Sequence, residues 1–178
     1  DRMGVNNVYV VQNGVDIVNT PTTKENTVPE LVYVGTLNRH HSLDDVLDSL
    51  TNTKDNFHFT IIGGGELEAK YIKKYSHDKR ISFTGELPHK KAITCIANSD
   101  ICIASYNMEF PVFKKYGFYF CPLKLLEYSA AGKPTLMYGL SNSFTKIFEE
   151  GNACIVVNSK DEFIKKLQFM IRSKELMK

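Results

Sequence analysis

No stretch of this sequence carries the roughly 18 consecutive apolar residues that a membrane-spanning helix requires. A large excess of one charge is missing too: 22 Lys and Arg face 20 Asp and Glu, a formal net charge of +2. Charge alone therefore gives no reason to expect a nucleic-acid partner. The basic residues are scattered, apart from the pairs Lys73-Lys74, Lys90-Lys91, Lys114-Lys115 and Lys165-Lys166. Such pairs read first as solvated faces, with peripheral contact to a membrane surface as the alternative. Cysteine is scarce. The four present, Cys95, Cys102, Cys121 and Cys154, have neither metal-site spacing nor a histidine cluster beside them. Cys95, Cys102 and Cys154 sit among apolar neighbours and read as buried free thiols, which fits a reducing cytosol. No acidic metal cluster, internal repeat or low-complexity tract is visible. The chain opens at Asp1 without a methionine or a signal-like segment, as expected of a piece cut from a longer protein.

What is present is an alternating pattern. At 178 residues and 43% hydrophobic, the chain is one domain with enough apolar material for a full core. Val8–Val11 is a short β-like run stopped by Asn13-Gly14, and residues 19–30, with Pro21 and Pro29, read as a loop. Strands are expected at Leu31–Gly35, Phe57–Ile62, Ile81–Phe83, Ile101–Ala104, 134–137 and 153–157. Helices are expected from Ser42, as N-cap, to Leu50, then at Glu66–Tyr75, Pro88–Ala97, 122–131, 142–150 and 160–172. Residues 105–121 read as one long loop crowded with Phe110, Phe113, Tyr116, Phe118, Tyr119 and Phe120. Short apolar strands alternating with helices predict an α/β fold, a Rossmann-like parallel sheet covered on both faces. Ligands of such sheets bind beyond the carboxyl ends of the strands. The loops after Gly35, Ile62, Phe83, Ala104 and Phe120 are therefore the candidates, and they hold nearly all the unusual residues.

The most informative segment runs from Pro122 to Pro134. Pro122 suits the first helical position, where a missing N–H costs nothing. Leu123, Leu126 and Ala130 share a face at helical spacing, and Gly132 with Pro134 ends the run. Glu127 does not fit a plain core helix. It reads either as a solvated carboxylate or as an acceptor for hydroxyl groups of a ligand at the helix start, an end that also attracts phosphate. Phosphate and hydroxyls together would suit a nucleotide sugar. Lys124 reads equally as a phosphate contact or a solvated lysine.

The stretch Gly117-Phe118-Tyr119-Phe120-Cys121-Pro122-Leu123-Lys124-Leu125-Leu126-Glu127-Tyr128, continued to Pro134, closely resembles the donor-binding motif of retaining glycosyltransferases of family 4. Those enzymes have the GT-B fold, two Rossmann-like lobes around a cleft. The likeness runs from Asp1 to about Met170 and covers only the C-terminal, nucleotide-sugar lobe. Asn13-Gly14-Val15-Asp16 resembles the lobe junction, and Asp100-Ile101 through Ser105 a late central strand.

The resemblance implies a donor site. Gly35, Thr36, Arg39 and His41 would belong to the diphosphate loop, Gly64 to a glycine-rich turn facing the donor, and Phe83 and Thr84 to the loop at the base. Pro122, Leu123 and Lys124 would form the helix start, and Glu127 would bind the ribose hydroxyls. Four positions depart from the family pattern, Ser42 standing for a glycine among them. Thr36 stands for arginine and His41 for lysine, so the loop has only a partly charged imidazole at pH 7, with Arg39 or His40 to make up the charge. Tyr119 stands where a glutamate normally reaches the transferred sugar, and Glu109 in the same loop is the substitute considered. The implied activity is retaining transfer of a sugar from a nucleotide diphosphate donor, without metal or other cofactor. An N-terminal acceptor lobe would be the partner, and a cytoplasmic place at the inner membrane face in surface polysaccharide or lipopolysaccharide assembly the setting. An isolated lobe would bind donor weakly and catalyse little. The alternatives are a non-catalytic nucleotide- or partner-binding module and a two-lobed nucleotide-sugar epimerase.

Overall fold

Six short strands pair into one parallel sheet, the central ones too hydrophobic to leave either face in water and the edge strand Ile81–Gly85 turning Ser82 and Thr84 outward. They are β1 (Glu30–Val34), β2 (His58–Ile62), β3 (Ile81–Gly85), β4 (Ile101–Ser105), β5 (Thr135–Tyr138) and β6 (Cys154–Val157). The computed structural model describes residues 9, 11, 13–17, 26–117, 121–139 and 143–173. The strand order is β3-β2-β1-β4-β5-β6, every neighbouring pair parallel. The chain thus builds outward from β1 to β3, then returns to the other side of β1 and builds outward again. That reversal between β1 and β4 is the switch point at which open α/β sheets hold their ligands.

Helices cover both faces: α1 (Asp44–Asn52), α2 (Glu68–Tyr75), α3 (His89–Asn98), α4 (Pro111–Tyr116), α5 (Leu123–Ala130), α6 (Ser143–Glu150) and α7 (Lys160–Arg172). Alternate strand residues feed two cores, as the pleat requires. Leu31, Tyr33, Phe59, Ile61, Ile103 and Leu136 meet the buried residues of α1, α2 and α7. Val32, Ile62, Cys102, Ala104 and Met137 meet Ala92 and Ile96 of α3 and Leu125 and Tyr128 of α5. Helix α7 starts with a reciprocal cap: Ser159 Oγ accepts from Glu162 N, while Glu162 Oε2 accepts from Asn158 N.

The expected order of strands and helices matches the structure, and several boundaries move. β3 continues to Gly85, so Phe83 and Thr84 are edge-strand residues and not loop residues. The N-cap position of α1 is Leu43, not Ser42, and α1 runs on to Asn52. The segment 105–121 is not all loop, since Pro111 opens the short helix α4, with Phe113 buried. Pro122 is the N-cap of α5 and Leu123 its first residue. The buried face of α5 is also corrected: it is Lys124, Leu125 and Tyr128, while Leu123 is 51% exposed. Cys102 and Cys154 are buried, and Cys95 is only partly so. The Val8–Val11 run, the start of the 19–30 loop, Phe118, Tyr119 and Phe120 lie wholly or largely outside the described residues. Among the described residues no helix is long and apolar enough to cross a membrane.

Candidate functional site

Strands β1 and β4 are in register only at Leu31–Ile101 and Val32–Cys102. Above that level they part, and Tyr128 of α5 fills the opening. Its hydroxyl accepts from Val34 N at 2.9 Å and donates to Ile103 O at 3.3 Å, replacing the ladder bonds the strands no longer make. This tyrosine roots α5 under the switch point, and the start of α5 then lies at the carboxyl edge of the sheet. Among the described residues no side chain caps that start, so its first N–H groups keep their capacity for an anion.

A row of glycines forms the floor beside it. Gly35, Gly63 and Gly85 follow or end β1, β2 and β3, and they are joined sideways: Gly35 N donates to Ile62 O at 3.0 Å, and Gly63 N to Gly85 O at 2.8 Å. The close approach leaves no room for side chains. A Cβ on Gly63, at φ +130°, would lie 2.1 Å from Gly35 O, and one on Gly65 2.5 Å from Leu37 O. The glycine triplet therefore serves first to press the second loop onto the first. Gly64 closes the same contact by accepting from Leu37 N at 2.8 Å.

The loop from Gly35 to Leu43 is held in shape before any ligand arrives. Asn38 Oδ1 accepts from the backbone N–H of both His40 and His41, each at 3.0 Å. From across the switch point, Asn107 donates its N–H to His40 O and its side-chain amide to Arg39 O. Tyr33 Oη donates to Thr36 O at 3.2 Å. Thr36 itself is exposed.

The cations of the expected site are placed unequally. Arg39 is 74% exposed and lies 3.6 Å from Glu66. His41 is half-buried with its ring edge-on to Tyr106, centroids 5.1 Å apart. Burial, reinforced by Lys124 and His40, pushes its pKa down to about 3. That burial favours the neutral imidazole of His41 in the unliganded chain. Lys124 is the cation at the centre. It is only 8% exposed, and its Nζ donates to Tyr33 Oη at 3.2 Å. The amine also sits 4.3 Å from the Tyr33 ring centroid and 5.2 Å from that of Tyr106. Loss of water pushes its pKa down to about 7, with Glu127 pulling weakly the other way.

Glu127 lies one turn along α5 from its start, on the side facing α3. Its Oε1 is 3.3 Å from His89 Nε2, and its side chain is 24% exposed. On the far side of the floor, Thr84 Oγ1 donates to Gly85 O at 2.9 Å, and Phe83 packs half-buried against the core. Carboxylates of Glu68 and Glu86 border Gly64. The structure thus brings Gly35, Thr36, His41, Gly64, Pro122, Leu123, Lys124 and Glu127 to the carboxyl edge around β1. Phe83 and Thr84 stand two strands away. Tyr119 lies outside the described residues.

Several residues of this edge escape sequence reasoning. Tyr33 falls inside an expected strand, Tyr106 and Asn107 in the expected 105–121 loop and His89 in an expected helix, and none is singled out there.

Residues 28–173 match the glycosyl transferases group 1 family. Among curated proteins no match is found. Solved structures share the fold. The apo form of the lipopolysaccharide outer core galactosyltransferase WaaB superposes with a TM-score of 0.73 at 20% identity, over 97% of this chain and 49% of that one. S. aureus TarM, as a mutant in complex with UDP among other ligands, gives 0.73 at 14%, over 99% of this chain and 35% of that one. Anabaena Alr3699/HepE in complex with UDP-glucose gives 0.65 at 14%, over 85% and 41%. The chain spans about half or less of each of these proteins. This chain belongs to the glycosyl transferases group 1 family and has the architecture of the C-terminal lobe of a GT-B enzyme.

Proposed function

We propose that this chain is the donor lobe of a retaining glycosyltransferase and binds a nucleotide diphosphate sugar at the carboxyl edge between β1 and β4. The observation that carries the reading is the meeting of three features at one switch point: the uncapped start of α5, the glycine floor, and Glu127 one turn from the helix start. In this reading the diphosphate lies over Gly35 and the N–H groups of Leu123 and Lys124. Glu127 accepts from the two ribose hydroxyls, a cis-diol that a carboxylate can grip with both oxygens. The base reaches toward Phe83 and Thr84, and Tyr119 offers a phenol to the sugar.

The reaction breaks the bond between the anomeric carbon and the diphosphate oxygen and joins that carbon to an acceptor hydroxyl on the same face. The acceptor proton passes to the departing diphosphate, which leaves with its remaining negative charge. Stabilising that charge is the task of the helix start and the cation beside it. No metal or further cofactor is assigned to this chemistry. The acceptor would come from an N-terminal lobe of the same protein. A UDP-type donor is supported by the UDP-glucose bound to HepE and the UDP bound to TarM, and lipopolysaccharide or other surface polysaccharide assembly by the named role of WaaB. A cytoplasmic place at the inner membrane face follows from that setting, with the exposed lysine pairs as the peripheral contact.

A second reading, a non-catalytic nucleotide- or partner-binding module, is favoured by one observation: the position of the loop lysine holds a neutral imidazole. Calorimetry with UDP, GDP and ADP decides. Saturable binding of one of them supports the donor lobe, and no heat from any of the three contradicts it.

A further inference from the structure

Lys124 carries a buried amine with no counter-ion among the described residues. It is 8% exposed, and no carboxylate lies within ion-pair distance of its amine among the described residues. Of the three N–H groups of an ammonium, one is used, toward Tyr33 Oη. Removing such a group from water is costly unless something repays it. A lysine kept only for packing would be better replaced by an apolar residue of the same length.

Its direction gives the repayment. Lys124 belongs to the α3 and α5 side of the sheet, yet its amine meets the ring of Tyr33, which packs with α1, α2 and α7. The side chain therefore crosses the sheet where β1 and β4 part. It ends beneath the first turn of the loop: a Cβ on Gly35 would stand 3.0 Å from Lys124 Nζ. Gly35, at φ +150°, has no side chain there, which makes room for the amine. The amine is tied to that loop through Tyr33 Oη, which accepts from Lys124 and donates to Thr36 O. The other loop cations are not so placed, since Arg39 points to Glu66 at the surface and His41 is neutral.

We propose that Lys124, delivered from the helix through the split in the sheet, is the cation that holds the donor diphosphate, in place of the lysine the loop lacks. The proposal rests on the donor-lobe reading and deepens it. In this proposal the diphosphate binds between Gly35 and the start of α5, within reach of the amine. The titratable groups around the amine are Tyr33 from β1, Tyr106 after β4, His41 from the loop and Glu127 from α5 itself. Both tyrosines are pushed far above their ordinary range by burial and stay neutral. Lys124 is thus the group poised to change charge when an anion arrives.

The test is calorimetry at pH 8 with UDP, GDP and ADP, in buffers of differing ionisation heat, on the wild type, Lys124→Met and His41→Gln. At pH 8 the terminal phosphate is already ionised, so it contributes little to proton exchange. The wild type is expected to take up close to one proton per nucleotide, and His41→Gln to keep that uptake. Lys124→Met should fold, lose the uptake and bind about ten- to a hundredfold more weakly. Nucleotide binding without proton uptake in the wild type, or unchanged affinity in Lys124→Met, overturns the role of Lys124 and leaves the donor-lobe reading standing. If Lys124→Met does not fold, the uptake in the wild type and in His41→Gln decides alone. No binding of any nucleotide by the wild type overturns both.

Discussion

The hydroxyl of Tyr128 lies between two strands that no longer pair, accepting from Val34 N at 2.9 Å and donating to Ile103 O at 3.3 Å. One side chain thus keeps the switch point open and its backbone satisfied. Tyr128→Phe leaves a buried N–H and a buried C=O without their partner. Leaving buried groups unsatisfied costs about 1–3 kcal/mol, more than the bond itself contributes. Chemical denaturation should show that loss with an unchanged m-value. Wild-type stability in the variant would mean that the strands can close and pair without it.

Gly63→Ala tests the glycine floor. Its Cβ would stand 2.1 Å from Gly35 O, and its φ of +130° is one that L side chains rarely adopt. The strain alone should cost about 1–3 kcal/mol, and relief requires the second loop to move off the first. Nucleotide affinity should fall with stability. Gly14→Ala serves as the contrast, since no atom of the described residues lies within 4 Å of its added methyl.

The alternation of strands and helices is legible in the sequence because it depends only on apolar runs and their breaks. Helix α4 is not, because Pro111, Val112, Phe113, Lys114, Lys115 and Tyr116 are too few to show a period and too aromatic to look helical. The face of α5 misleads for a different reason. Leu123, Leu126 and Ala130 are apolar, whereas the buried set contains a lysine. Hydrophobic periodicity cannot find a charged residue in a core. Glu127 stands out in the sequence because it interrupts an apolar helix, but its neighbour His89, from another helix, leaves no local signal.

His41 should govern part of the acid stability. Its folded pKa of about 3 lies below the ordinary 6.5. Between those values the unfolded chain binds the extra proton, so stability is present above pH 6.5 and is lost as pH falls toward 3. Between pH 7 and 5 the wild type should lose about 1–2 kcal/mol from this group. His41→Gln should lose less over the same range in parallel denaturation curves. Equal losses would place His41 in water.

Lys124 acts in the opposite pH range. Its folded pKa of about 7 lies below the ordinary 10.5, so between them the unfolded chain again binds more protons. Stability from this group is therefore fully present only above pH 10.5 and declines as pH falls to 7. Read upward, the unliganded wild type should gain about 2 kcal/mol between pH 7 and 9. Lys124→Met should show a flat profile across that window and a higher melting temperature at pH 7. A flat wild-type profile would mean that the amine is hydrated.

If the start of α5 and Glu127 hold a nucleoside diphosphate, Glu127→Ala should bind it more weakly. Glu127 lies at the rim with a 24% exposed side chain, so its removal should leave the fold intact by circular dichroism and denaturation. Losing a charged hydrogen-bond acceptor should weaken the tightest-binding of UDP, GDP and ADP by about 1.5–3 kcal/mol. Wild-type affinity in a folded Glu127→Ala protein would contradict the assignment of the ribose to this helix.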